Sequence, residues 1–97
     1  MIRTYSTTKN YQAIYSQLYE NFKDIHTLLK CQKKDSFYQM RILQNRFTNK
    51  FCLCDEQVDY TKKTAKIQMQ VDDKAHIYCE ELLAWMRSKT FREFLHK

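Results

Sequence analysis

The chain has 97 residues, contains neither glycine nor proline, and carries 17 basic against 11 acidic side chains, a formal net charge of +6. This length allows one domain with one modest core, which leaves little room for a deep substrate cleft. Because hairpins and phosphate-binding loops depend on glycine, the composition argues against a many-turned β domain and favours a few helices. The positive charge favours an acidic partner, which is nucleic acid, an anionic membrane surface or an acidic protein.

The sequence gives little support for a metal site or a membrane span. The cysteines and histidines are scattered, and the spacing of Cys52 and Cys54 does not suit a zinc knuckle, so we expect free thiols and no metal or other cofactor. No run of about 18 apolar residues is present, so no transmembrane helix is predicted. Residues 1–10, MIRTYSTTKN, have no acid and resemble the start of a mitochondrial presequence or an ordinary disordered tail. We assign residues 1–10 to a flexible segment and residues 11–97 to one domain.

Residues 11–30 have the apolar periodicity of a helix. Their apolar side chains recur at steps of three and four: Ile14, Leu18, Phe22, Ile25 and Leu29. The polar residues 31–35, CQKKD, then suit a connector. The pattern predicts a first helix over residues 11–30.

A second helix is predicted to begin at Ser36, whose spacing from Gln39 suits a capping box. Asn49 suits its end, because asparagine tolerates the left-handed conformation. The apolar stripe of this helix consists of Phe37, Met40, Leu43 and Phe47.

A third helix is predicted to begin at Asp55 and to run towards the end of the chain. Asp72, Asp73 and His76 interrupt its apolar stripe, so this helix is either very long or broken near residues 72–74. The fold class expected from these elements is all-α, a three-helix up-down-up bundle with a long C-terminal helix.

No pattern in the sequence indicates catalysis. Without glycine there is no phosphate-binding loop and no nucleophile elbow. Asp72 and His76 are one helical turn apart, but such a pair is more often structural than catalytic when no nucleophile accompanies it. We therefore predict that the protein is not an enzyme and has no catalytic residues.

The most basic stretch contains Lys30, Lys33, Lys34, Arg41, Arg46 and Lys50. On a second helix these side chains would form a positive strip. A functional patch and an ordinary solvated face are both compatible with this pattern.

The layout resembles the LYR-motif family of small mitochondrial three-helix proteins. Ile14-Tyr15-Ser16, or the alternative register Leu18-Tyr19-Glu20, lies where the first motif is expected, although neither register contains the arginine. The second motif is matched by ILQNRFTNK, and residues 75–97 resemble the closing helix of the branch linked to ATP-synthase assembly.

This resemblance implies a non-catalytic adaptor in the mitochondrial matrix or on the matrix side of the inner membrane. It would be an accessory or assembly subunit of a respiratory complex or of the ATP synthase, and its partners would be subunits of that complex and the acyl-carrier protein. The partner-binding residues implied are Tyr15, Arg41, Arg46, Phe47 and Lys50. The alternative hypothesis is a small mitochondrial ribosomal or other RNA-binding helical protein, which the charge and the seven tyrosines also suit.

Overall fold

The computed structural model describes residues 2–7 and 11–88 and is built around one antiparallel sheet. The elements follow in the order β1 (Ile2–Thr7), α1 (Tyr11–Asn21), β2 (Phe22–Gln32), β3 (Ser36–Asn45), β4 (Phe51–Asp59), β5 (Thr64–Gln70) and α2 (Asp73–Met86). The spatial order of the strands is β1-β5-β4-β3-β2. Consecutive hairpins therefore form the sheet from β2 to β5, and β1 pairs with β5 at the far edge.

The sheet has a helix on each face. On one face, Leu18 of α1 packs against Leu43, Cys52, Cys54, Ile67 and Met69. On the other face, Cys79 and Leu83 of α2 pack against Ile42, with Leu53 beside them. Adjacent residues of β3, Ile42 and Leu43, are both fully buried because the two helices cover opposite faces of this strand.

The turns are made without glycine. Asn49 and Lys63 adopt positive φ angles of 63° and 56° in the β3–β4 and β4–β5 turns. The Asp59 carboxylate accepts backbone N–H groups from Thr61 and Lys62, at 2.9 and 3.0 Å, and so organises the second turn. Hydrogen bonds from side chains to the local backbone therefore stabilise turns in a chain that has no glycine.

The predicted all-α bundle is wrong, because five strands replace most of its helical length. Register shifts in β2 explain the misread periodicity. Two irregularities, between Asp24 and His26 and between Thr27 and Leu29, each skip one residue in the pairing with β3. They place partly buried side chains three residues apart, at Phe22, Ile25 and Leu28, which imitates a helical stripe.

Two further expectations need correction. Residues 1–10 were assigned to a flexible segment, whereas Ile2–Thr7 form the edge strand β1. The long C-terminal helix, predicted to begin at Asp55, is also wrong between residues 55 and 70, where the end of β4 and all of β5 bury alternate residues. Helix α2 begins only at Asp73, where Asp72 acts as N-cap and accepts the Ala75 N–H at 2.8 Å. Within residues 2–7 and 11–88, neither helix has the length and hydropathy needed to cross a membrane.

Candidate functional site

Arg41, which was predicted to face a partner, is buried between the sheet and α1. Its side chain is 2% exposed and forms an ion pair with Glu56 of the adjacent strand β4, which is equally buried. Arg41 Nη1 also donates to the Tyr19 hydroxyl and lies 3.4 Å from an Asp24 carboxylate oxygen. Burial lowers the pKa of Arg41, but the attraction of Glu56 and the contact with Tyr19 together more than offset this effect and raise the pKa overall, so the guanidinium stays charged.

Tyr15 joins the same cluster from the preceding turn of α1. Its hydroxyl donates to Glu56 Oε2 at 2.6 Å, and Gln39 Nε2 donates to the same oxygen at 3.1 Å. Burial, followed by the Glu56 carboxylate, raises the pKa of Tyr15 well above its usual value. Tyr15 therefore remains protonated as a hydrogen-bond donor. The cluster connects α1 to the sheet, and its geometry suits anchoring better than proton transfer.

The other three predicted partner-binding residues lie together in the β3–β4 turn. Arg46 Nε donates to the Tyr19 carbonyl at 3.1 Å, which connects the turn to the end of α1. Lys50 forms an ion pair with Asp73 at 2.6 Å, and this contact lowers the pKa of Asp73. Phe47 is 76% exposed and lines no core. The structure thus brings Tyr15 and Arg41 together in a buried cluster, and places Arg46, Phe47 and Lys50 at one end of the sheet.

The positive strip expected along one helix is therefore divided. Arg41 is buried, and Arg46 and Lys50 lie in the β3–β4 turn. The β2–β3 connection carries Lys33 and Lys34, at the opposite end of the same strands.

A second basic cluster, which the sequence analysis missed, joins these two lysines. The β4–β5 turn reaches the same end of the sheet, since Tyr60 N–H donates to the Asp35 carbonyl at 3.0 Å. We call the resulting surface the lysine end. It consists of six exposed lysines: Lys30, Lys33, Lys34, Lys62, Lys63 and Lys66. The run YTKKTAK was the available sequence signal, but only strand pairing shows that it adjoins CQKK.

A cleft of about 720 Å³ opens at the lysine end. Two cross-strand rows form most of its lining, Cys31–Tyr38–Gln57–Lys66 and Ser36–Asp59–Thr64, and the row between them, Phe37–Val58–Ala65, also contributes. Directly paired residues point to the same face of a sheet, so both rows lie on the face that carries α2. Lys33 completes the wall.

The charges of the lysine end are strongly one-sided. Six exposed lysines accompany three aspartates, Asp35, Asp55 and Asp59, and Asp59 is bound to backbone N–H groups of its turn. Clustered positive charge beside a concave surface raises the local concentration of anionic ligands. The cleft and its lysines are thus the strongest candidate site in the described part of the chain.

Residues 2–7 and 11–88 contain no group of three or more histidine, cysteine or acidic side chains placed to hold a metal ion. No family model, curated protein or solved structure matches this chain.

Proposed function

We propose that this protein is a non-catalytic module that binds nucleic acid through the lysine end. One observation carries the proposal: strand pairing brings two lysine runs that are distant in sequence to one end of the sheet, beside a cleft of about 720 Å³ that Lys33 and Lys66 line. Phosphates are the ligands that such a surface attracts most generally, because every nucleotide supplies one whatever its base.

Aromatic side chains among the lysines support nucleic acid over other anionic partners. Tyr38 lies in the floor of the cleft, and Tyr60 is 43% exposed in the adjoining turn. Aromatic rings between cations are typical of nucleic-acid surfaces, where bases stack and lysines contact the backbone. An acidic protein would use the lysines but would not require the rings.

The acidic residues of the described chain lie largely elsewhere. Helix α2 carries Asp73, Glu80 and Glu81 on its exposed side, and Glu56 is neutralised inside the sheet. This separation leaves the lysine end positive while the net charge stays moderate.

The test is the salt dependence of RNA binding by the full chain, measured by fluorescence anisotropy. If all six lysines contact phosphates of a single strand, the logarithm of affinity falls with the logarithm of salt with a slope of about −4. Replacing Lys33 and Lys66 by glutamine is expected to make that slope shallower by about 1.4.

The matched control replaces two exposed lysines outside the lysine end, Lys23 and Lys74, by glutamine. This double variant has the same net charge as the first and should bind RNA with nearly the wild-type slope. Equal effects of the two double variants, or no binding at low salt, would overturn the proposal. Binding to polyglutamate without binding to RNA would instead indicate an acidic protein partner.

A second candidate function is the protein adaptor, and the exposed face of α2 favours it. Ile77, Tyr78 and Trp85 are 54%, 51% and 61% exposed along this helix. Tyrosine and tryptophan are enriched at the centres of protein interfaces. Residues 2–7 and 11–88 do not form the three-helix bundle that the LYR resemblance implies. The mitochondrial assignment stays a prediction.

The adaptor hypothesis is tested by affinity purification of the tagged chain, followed by mass spectrometry. Recovery of the subunits of one mitochondrial complex, and their loss with Tyr78→Ser and Trp85→Ser together, would support it. Unchanged recovery with this double variant would exclude the α2 face as the contact.

A further inference from the structure

The cleft at the lysine end is floored by side chains that bind bases better than phosphates. Its two cross-strand rows place a hydroxyl from Ser36, an amide from Gln57 and a hydroxyl from Thr64 on one surface. Neutral donors and acceptors of this kind pair with the edges of bases.

Tyr38 supplies an aromatic ring to the same floor. It lies in the second strand of its row, between Cys31 and Gln57, and its side chain is half-buried. Burial, followed by the nearby Asp55 carboxylate, raises the pKa of Tyr38, so the ring is uncharged at neutral pH. An uncharged tyrosine is a typical platform on which a base stacks.

The charges of the cleft separate a base from its phosphate. Asp59 lies in the floor, and the negative carboxylate disfavours a phosphate there. Lys33 and Lys66 line the cleft, and the remaining four lysines of the lysine end are outside its lining. A nucleotide therefore fits with its base inwards and its phosphates towards the lysines.

The dimensions exclude a paired base. Strands about 4.8 Å apart make a row of four residues about 14 Å long, and the two rows are about 7 Å apart. A volume of about 720 Å³ suits a small ligand but not the width of a double helix. Bases in a duplex are stacked and paired, so their flat faces are not available to Tyr38.

We propose that this cleft binds the base of an unpaired nucleotide, with Tyr38 as its stacking platform, so that the protein prefers single-stranded to double-stranded nucleic acid. This inference rests on the proposed function, since the lysines supply the phosphate contacts. It adds a specificity that charge alone does not give, because a duplex presents more charge per unit length than a single strand.

The test compares a short single-stranded oligoribonucleotide with a blunt duplex of the same strand, each carrying 2-aminopurine. The full-length chain is used as wild type and as three variants: Tyr38→Leu, Tyr38→Phe and Tyr78→Leu. Tyr38→Leu removes the ring and keeps an apolar side chain, Tyr38→Phe keeps the ring, and Tyr78→Leu is the matched control, an exposed tyrosine on α2 outside the cleft lining. Circular dichroism reports whether each variant is folded.

We expect the single strand to bind more tightly than the duplex and its 2-aminopurine fluorescence to be quenched on binding. Tyr38→Leu should weaken single-strand binding about tenfold or more and abolish the quenching, while duplex binding stays unchanged. Tyr38→Phe and Tyr78→Leu should behave as the wild type.

Two results would overturn this inference and leave the proposed function intact. One is equal affinity for the single strand and the duplex, and the other is an equal effect of Tyr38→Leu on both. If neither nucleic acid binds, the proposed function itself fails, and the inference fails with it. Unchanged duplex binding by Tyr38→Leu also shows that the variant is folded and its lysines are in place.

Discussion

Replacing Arg41 by methionine tests the arrangement of strands most directly, because this arginine lies at the centre of the sheet. The change leaves the Glu56 carboxylate buried without its cation. Removing one partner of a buried ion pair costs about 3–5 kcal/mol. A domain of 97 residues has a free energy of unfolding of about 5–15 kcal/mol, so the loss is a large fraction of the total.

The assay is urea denaturation followed by far-UV circular dichroism at neutral pH. With a dependence of about 1–3 kcal/mol per molar urea, a loss of 4 kcal/mol lowers the midpoint by about 2 M. Arg46→Met is the matched control, since Arg46 is exposed and its side chain donates one hydrogen bond, from Nε to the Tyr19 carbonyl, while its backbone bond to Asn21 is kept. It should cost about 1 kcal/mol or less.

A second variant separates the lost ion pair from a general packing defect. Replacing Arg41 by methionine and Glu56 by leucine together leaves no buried charge unpaired, and should recover much of the lost free energy of unfolding. Recovery should be incomplete, because the Tyr15 hydroxyl then lacks its acceptor.

The reasoning is refuted if Arg41→Met unfolds within about 0.5 kcal/mol of the wild type, as surface substitutions usually do. That is the result expected of a basic strip on an exposed helix, which the sequence alone predicted. A double variant no more stable than Arg41→Met would show that the ion pair is not what the single substitution disrupts.

Four further predictions concern the cap of α2 and the thiols. Asp72→Ala should lower the free energy of unfolding by about 1 kcal/mol in the same urea assay, because the Ala75 N–H loses its acceptor. An unchanged free energy of unfolding would show that Asp72 does not act as the N-cap of α2. Only Cys31 should react with iodoacetamide in the native protein, as mass spectrometry of the peptides would show, since Cys52, Cys54 and Cys79 are buried. Single-stranded RNA should slow that reaction if it occupies the cleft that Cys31 lines, and an unchanged rate would place the RNA elsewhere. Burial raises the pKa of Cys52 and Cys54 to about 12 and of Cys79 to about 11, against 9.0 for an ordinary thiol. As pH rises, the thiols of the unfolded chain lose their protons before those of the folded protein, so the free energy of unfolding should fall between pH 9 and pH 12. A free energy of unfolding that rises over this range would contradict the burial of these three thiols.

Some features were determined by the sequence alone. The residues around Leu18 form α1 within the predicted first helix, since their apolar side chains recur at helical spacing and no irregularity disturbs them. Asp72 marks the start of α2, one of the two alternatives that the interrupted stripe left open, because an aspartate side chain caps a helix through purely local bonds. The charge balance likewise pointed to an acidic partner from composition only, and that remains a prediction.

The strands could not be predicted from the sequence in the same way. In β2, register shifts replace the alternation of a strand with steps of three residues. In β3, both faces are covered, so neighbouring Ile42 and Leu43 are equally buried and no alternation appears. The regular pattern of Ala65, Ile67 and Met69 in β5 was present in the sequence, but the lack of glycine weighed against any hairpin. Asn49 and Lys63 supplied the positive φ angles instead.

The candidate site was decided by the tertiary structure. The sequence does not indicate that Arg41 is buried, because its two partners are distant in sequence. Glu56 lies in the next strand, and the Tyr19 hydroxyl lies in α1. Likewise, the two lysine runs are almost thirty residues apart, and each by itself looks like a solvated turn. They share a surface because antiparallel pairing returns β4 alongside β3 and brings Asp59 opposite Ser36. Local sequence determined the helix around Leu18 and the cap at Asp72, whereas the pairing of strands determines which distant charges meet.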